Sequence, residues 1–401
     1  MKSQKIRLIL HIGQHKTGSK ALQSFLTQNS KALSKRGIWY PSLNPKHPVK
    51  AFEISHFKFF ALLRYQAMQR ETKAEELERF WKQHQKICTP HTSVDQLLEE
   101  LKQQCIREKS TTMILSAEDV FDMHTAHESS FNPNLIRHAA QLLKESCIRL
   151  GFDPGIVLYV RRQDYLLVAH YNQYLKGSED TRLDFEGFFE TFSPRLDTLK
   201  ILQQWAEIFG KENFLVRPYE SVSLPEGIVP DFFDKVLGFQ VPPSFKLPKK
   251  DIETVNATPS RDYMEFIRIQ KQQGSGRYFF PQELVLQAAL QHRKSGWAIA
   301  DWMPSAARQS LIETYEFDNQ AICEIFLGEK GRSVFREKLP DADASNLEYS
   351  GLSPEKAMEI SWEVHRLLIG EKKKRILRKI GQAALGAVAL LVLIAILYWV
   401  V

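Results

Sequence analysis

Residues 8–23 join an apolar run, Leu8 to Ile12, to a loop holding Gly13, Lys16, Gly18 and Lys20, and then open a helical pattern through Leu22, Phe25 and Leu26. A strand, loop and helix start of this kind suits an anion. The first N–H groups of a helix lack intrahelical partners, its dipole is positive there, and a nearby lysine adds a full charge. A second place for chemistry is the apolar run 156–160, which closes on Arg161 and Arg162. Arginine offers a fork of donors that matches the oxygens of a phosphate.

The spacing of Gly13 and Gly18 fits the nucleotide-binding P-loop, G-x-x-x-x-G-K-[ST], but the last two positions do not. Ser19-Lys20 stands where Lys-Ser or Lys-Thr belongs, and Lys16 lies inside the loop. A P-loop kinase or NTPase, the alternative reading, would need a lysine at position 19 to reach the terminal phosphates and a hydroxyl after it for Mg²⁺. Lys16-Thr17-Gly18-Ser19 instead resembles the Lys-[Thr/Ser/Gly]-Gly-Thr loop of sulfotransferases that use 3′-phosphoadenosine 5′-phosphosulfate (PAPS). The wider run from His11 through Gly13, His15, Leu22 and Gln23 is similar to the opening of the bacterial members of that family. The block Tyr159-Val160-Arg161-Arg162-Gln163-Asp164-Tyr165, followed by Tyr171-Asn172-Gln173, resembles a second part of the same pattern.

That resemblance implies a three-layer, P-loop-like α/β fold with a mostly parallel sheet, PAPS as sulfuryl donor, 3′-phosphoadenosine 5′-phosphate (PAP) as product, and no metal. Lys16 takes the place of the cation at the leaving phosphate oxygen, and Gly13, Thr17, Gly18, Ser19 and Lys20 form the cradle of the 5′-phosphate. Arg161 takes the arginine position at the 3′-phosphate. The serine expected eight residues later is Ala169, so Arg162 or His170 is the substitute to look for. The acceptor hydroxyl needs a base, and Glu118, after the strand Thr111–Ser116, resembles the position where relatives carry a catalytic Glu or His. His15 and His56 compete with it, His15 also as a packing or hydrogen-bonding neighbour of Lys16.

These residues need elements to position them. Apolar runs predict strands over 6–12, 111–116, 156–161 and 213–217. Helical spacing predicts helices over 18–36, 132–150, 163–176 and 194–209, a mostly helical insertion at 50–110, and helices at 228–238, 260–273, 282–296, 305–327 and 354–370. Strands alternating with helices imply a parallel sheet. The expected organisation is a sulfotransferase-like domain over 1–335, helical from about 227, with a helical extension over 336–370.

Composition narrows the setting. The 401 residues are 43% apolar and 25% charged, ordinary values for a chain that builds its own core. Cys88, Cys105, Cys147 and Cys323 are scattered with no C-x-x-C spacing, which argues for free thiols and against a metal site. The net charge of +7 is concentrated in residues 371–379, which carry +5 and leave only +2 for the rest. Nucleic acid is therefore not an expected partner. Residues 380–401 contain no charged side chain and end in Tyr398, Trp399 and two valines. As a helix they would be about 33 Å long, enough to span a bilayer. With basic residues before them and no signal peptide, they read as a single-pass C-terminal anchor with the enzyme body on the cytoplasmic side. An anchor favours an acceptor on a membrane-associated glycan or glycolipid. A tethered protein that keeps the fold without transfer activity is the third reading, motivated by Ala169 and Lys20.

Overall fold

The computed structural model describes residues 5–44, 53–124, 131–177, 183–246, 259–273, 280–291, 300–339 and 349–370. The chain divides into two compact units. The first comprises residues 1–174, 183–256 and 302–346, and the second 175–182, 257–301 and 347–401. These cut across the expected boundaries: 336–346 belong with the first unit, whereas 257–301 and 347–370 belong with the second.

The first unit is built on five strands: β1 (Ile6–Gly13), β2 (Ile38–Trp39), β3 (Thr112–Ser116), β4 (Phe152–Val160) and β5 (Phe214–Pro218). Their order is β2-β3-β1-β4-β5, and every pairing is parallel. Leu8 stands beside Met113 on one side and Pro154 on the other. The register with β4 slips between His11 and Gly13, and this irregularity releases the chain from the sheet where the glycine loop begins. After β1 the chain moves towards β2, and after β4 it moves towards β5. The carboxyl ends of β1 and β4 therefore bound the crevice where parallel α/β sheets place their ligands.

Both faces of the sheet are covered. Leu8, Leu10 and Ile12 enter one core with helices α3 (Phe57–Met68), α4 (Ala74–Cys88), α5 (Val94–Arg107), α6 (Pro133–Leu150) and α9 (Thr198–Phe209). Ile9 enters the other with α1 (Ser19–Gln28) and α10, which runs from Ile228 and continues in wider turns to Leu237. Phe25 meets Phe233 edge-on at 5.5 Å and stacks on Phe245 at 6.2 Å. Each such buried ring contributes roughly 1.5–3 kcal/mol. The remaining helices of this unit are α2 (Ser30–Ser34), whose Leu33 joins the second core, α7 (Gln163–Lys176), α8 (Phe185–Phe192) and α13 (Ser305–Ile322, continued by a π turn to Leu327), whose Ile322 joins the first.

The second unit holds α11 (Arg261–Gln273), α12 (Gln282–Gln291) and α14 (354–370). Lys271 Nζ donates to the carbonyl of Gly177 at 2.5 Å, and Gln282 Nε2 to that of Lys176 at 2.7 Å. Among the described residues no helix is long and apolar enough to cross a membrane. The expected anchor at 380–401, with its basic flank at 371–379, lies outside the described residues.

Candidate functional site

The loop after β1 is shaped by backbone that only certain residues adopt easily. Gly13 has φ +138°, and a Cβ there would stand 3.0 Å from the carbonyl oxygen of Glu118 and 3.1 Å from Phe121 Cβ. Gly18 caps α1 in the left-handed region, φ 78° and ψ 11°, where a Cβ would meet the Tyr219 hydroxyl at 3.0 Å. Lys16 also has a positive φ, 65°. Left-handed residues on either side of Thr17 curl the backbone so that successive N–H groups face one concavity. Thr17 Oγ1 locks that curl by donating to the Gln14 carbonyl at 2.6 Å. The N–H groups of Ala21 and Leu22 return to the Gly18 carbonyl, which leaves Ser19 and Lys20 at the mouth of the helix. Among the described residues Ser19 Oγ, buried there, has no hydrogen-bond partner.

Gln14, for which sequence reasoning offered no role, ties the loop to its surroundings. Its backbone N–H donates to the Tyr159 carbonyl at 2.8 Å, its Nε2 to Thr198 Oγ1 at 2.9 Å, and its Oε1 accepts from the Arg161 N–H at 2.9 Å. Arg161 in turn donates from its guanidinium to the Lys16 carbonyl at 2.6 Å and lies 5.8 Å from the Tyr219 ring centre. Lys16 Nζ donates to Gln173 Oε1 at 3.0 Å. The two sequence blocks that carried the resemblance, 11–23 and 156–173, are thus one hydrogen-bonded assembly. Beside Arg161 opens a cavity of about 370 Å³ whose lining includes Tyr165, Tyr219, Ser221, Gly227 and Glu337.

Arg162 is placed differently from its neighbour. Its guanidinium makes a two-pronged pair with Asp164 at 2.8 and 2.9 Å and donates to the Glu337 carbonyl at 2.9 Å. Asp164 also accepts from Arg308, so two buried arginines share one buried carboxylate. Arg162 is spent on holding α7, α13 and the segment around Glu337 together. Ala169 lies half-buried on α7, and His170 packs its ring on Phe192 at 4.5 Å, with burial holding it well below the usual histidine range.

Glu118 reaches the loop because the chain after β3 stays bonded to the end of β1. Ala117 N–H donates to the His11 carbonyl and Phe121 N–H to that of Ile12. Gln23, from α1, donates to Glu118 Oε2 at 2.7 Å and to Ser116 Oγ at 3.1 Å. Burial pushes the Glu118 carboxyl up, but His15, the Gln23 hydrogen bond and Lys20 together hold it below the usual carboxylate value. His15 stands 3.6 Å from Asp119, and burial keeps its imidazole below the ordinary range. Burial, with Glu118 and Asp122 nearby, drives the Asp119 carboxyl well above its usual value. His56, the other competing base, has both ring nitrogens engaged: Nδ1 accepts from Ser116 N–H at 2.8 Å and Nε2 donates to the Pro41 carbonyl at 2.8 Å. It clips the end of β3 to the segment at Pro41, neutral because burial lowers its pKa to about 4.

The arrangement sets cations and N–H donors around a concavity, with an ionised carboxylate adjoining it. It can hold an anion at the helix mouth and take a proton from a group brought beside it. Against known families and curated proteins, the chain matches no family model and no curated sequence.

Proposed function

We propose that the protein is a PAPS-dependent sulfotransferase with a P-loop-like fold, moving a sulfuryl group to an acceptor hydroxyl. The observation that carries the reading is the joining of Lys16, the Gly18–Ser19 helix mouth and Arg161 into one hydrogen-bonded unit beside a cavity, with Glu118 tied to α1 of that unit through Gln23. The residues fit the donor. Among the described residues Ser19 Oγ is a buried hydroxyl without a hydrogen-bond partner, and a Cβ at Gly13 or Gly18 would crowd its neighbours at 3.0 Å. The cavity beside Arg161 also offers the Tyr219 and Tyr165 rings, while the Ser221 hydroxyl in its lining donates to the Glu337 carboxylate. The all-parallel order β2-β3-β1-β4-β5 agrees with this fold family.

When bound, PAPS supplies a sulfuryl group already joined to a good leaving phosphate. The N–H groups of Gly18, Ser19 and Lys20 hold the 5′-phosphate, and Arg161 serves the 3′-phosphate. Lys16 neutralises the charge that grows on the bridging oxygen as the old sulfur–oxygen bond breaks. Glu118 accepts the hydroxyl proton as the new one forms. The anchor expected at 380–401 directs the choice of acceptor to a membrane-associated glycan or glycolipid, reached from the cytoplasmic side.

PAP in hundredfold excess over its Kd should stabilise the fold by about 2.7 kcal/mol, whereas ATP with Mg²⁺ should not. Lys16→Ala should lower transfer from labelled PAPS by a factor on the order of 10²–10³. Preference for ATP with Mg²⁺ would overturn the reading in favour of a kinase or NTPase. PAP binding without transfer into any membrane extract would leave a sulfotransferase-like protein that has lost the reaction.

A further inference from the structure

Helix α14 is amphipathic on two opposite faces. Ile360 and Val364 are fully buried in the second unit, where Lys356 Nζ and the Tyr349 hydroxyl each hold one oxygen of Asp262 at 2.8 Å. On the other side Met358 is 74%, Trp362 69% and Ile369 43% exposed. Spaced by four and seven residues, they form one stripe along the helix. His365 and Arg366 are the other exposed residues on its C-terminal half. Glu359 and Glu363 turn away from the stripe and are only partly exposed. Glu355, also exposed, marks the N-terminal end of the same face, and the face turns basic towards its C-terminal end. A large exposed apolar stripe with tryptophan at its centre, leading into basic residues, is the composition of a helix lying in a membrane interface.

The chain beyond α14 indicates which surface covers the stripe. Residues 371–379 carry +5, which favours anionic headgroups, and the uncharged stretch begins at Ile380. The eleven steps from Ile369 to Ile380 reach at most about 40 Å even when fully extended. A bilayer that takes up residues 380–401 is therefore always close to α14.

We propose that α14 seats its Met358, Trp362 and Ile369 stripe in the headgroup region of an anionic bilayer, so that the second unit docks on the membrane instead of hanging from a tether. This rests on the reading of 380–401 as an anchor. The test uses the full chain in phosphatidylcholine–phosphatidylserine vesicles, with an environment-sensitive fluorophore on Met358→Cys and, separately, on the exposed control Lys330→Cys. The four native cysteines are buried, which makes the labelling selective. Co-flotation with vesicles reports on the anchor and the fluorophore reports on α14. The expected result is flotation of both proteins, with the label at 358 blue-shifted, quenched by headgroup nitroxide lipids and protected from iodide, and the label at 330 open to iodide. Flotation with the label at 358 as open to iodide as that at 330 overturns the seating of α14 and leaves the anchor standing. Protection from iodide without lipid quenching means that protein, such as a second copy, covers the stripe, and also overturns the proposal. Failure to float overturns the anchor and the docking with it.

Discussion

Glu118 keeps its charge where burial alone would neutralise it, because His15, Gln23 and Lys20 offset the desolvation. As the proposed base it is ionised at neutral pH. Its acid limb in a kcat/KM profile should lie below the ordinary histidine range and not near pH 6.5. Lys20→Met removes a charge that lowers the Glu118 pKa, so the limb should move to higher pH. Glu118→Gln should lower the rate by about 10²–10⁴-fold while PAP binding stays intact. A limb that ignores Lys20→Met, together with a nearly active Glu118→Gln, would hand the role of base to His15. At this scale much was legible: Lys16, Gly18, Arg161 and Glu118 are all brought to one crevice. Gln14 and the fate of Arg162 were not, since an amide between two motif residues has no spacing to mark it, and nothing in a pair of adjacent arginines says which one Asp164 and Arg308 will enclose.

At the level of elements, the loop between β1 and α1 depends on two glycines for different reasons. Gly13→Ala drives a Cβ against the backbone of Glu118 and against Phe121, neither of which is a flexible tip. Gly151, the left-handed cap of α6 with φ 69°, has nothing within 4 Å of the place a Cβ would take. Gly151→Ala should therefore cost only about 1–2 kcal/mol, the left-handed penalty itself, as read from urea melts. Gly13→Ala should cost more and also weaken PAP binding; equal costs for the two would show that the crowding at Gly13 relaxes. The strands and helices that frame this loop were mostly legible, because buried parallel strands read as apolar runs and helices as periodic ones. The edge strand β2 was not, for two residues, Ile38 and Trp39, give no period to read. Helix α8 also escaped notice.

For the whole molecule, acid stability follows from buried neutral histidines. Burial lowers the pKa of His11 and His56 from 6.5 to about 4 in the folded protein. The unfolded chain binds these protons first, so stability is complete above pH 6.5 and is lost as pH falls towards 4. Each site accounts for a loss on the order of 3 kcal/mol at full effect. Urea midpoints should fall between pH 7 and pH 5; a flat profile over that window would contradict the buried, neutral state of these rings. On the same scale, a chain ending at Gly370 should leave the membrane fraction for the soluble one, while the full chain stays with membranes after a high-salt wash. Release of the full chain by salt would show that charge and not the apolar segment holds it.

The amino-acid sequence by itself supplied the kind of chemistry proposed. An apolar run, a glycine-bounded loop with lysines and a helix start are what make the proposed anion site readable from local backbone geometry, and the uncharged stretch 380–401 is what carries the proposed anchor, without reference to any fold. Only the tertiary structure decided which side chains share the site. The order β2-β3-β1-β4-β5 places the ends of β1 and β4 side by side, so residues nearly 150 positions apart, Gln14 and Arg161, become hydrogen-bonded neighbours. It also turned Arg162 and His56 into structural ties, because burial obliges polar groups to find partners, and those partners come from distant parts of the chain.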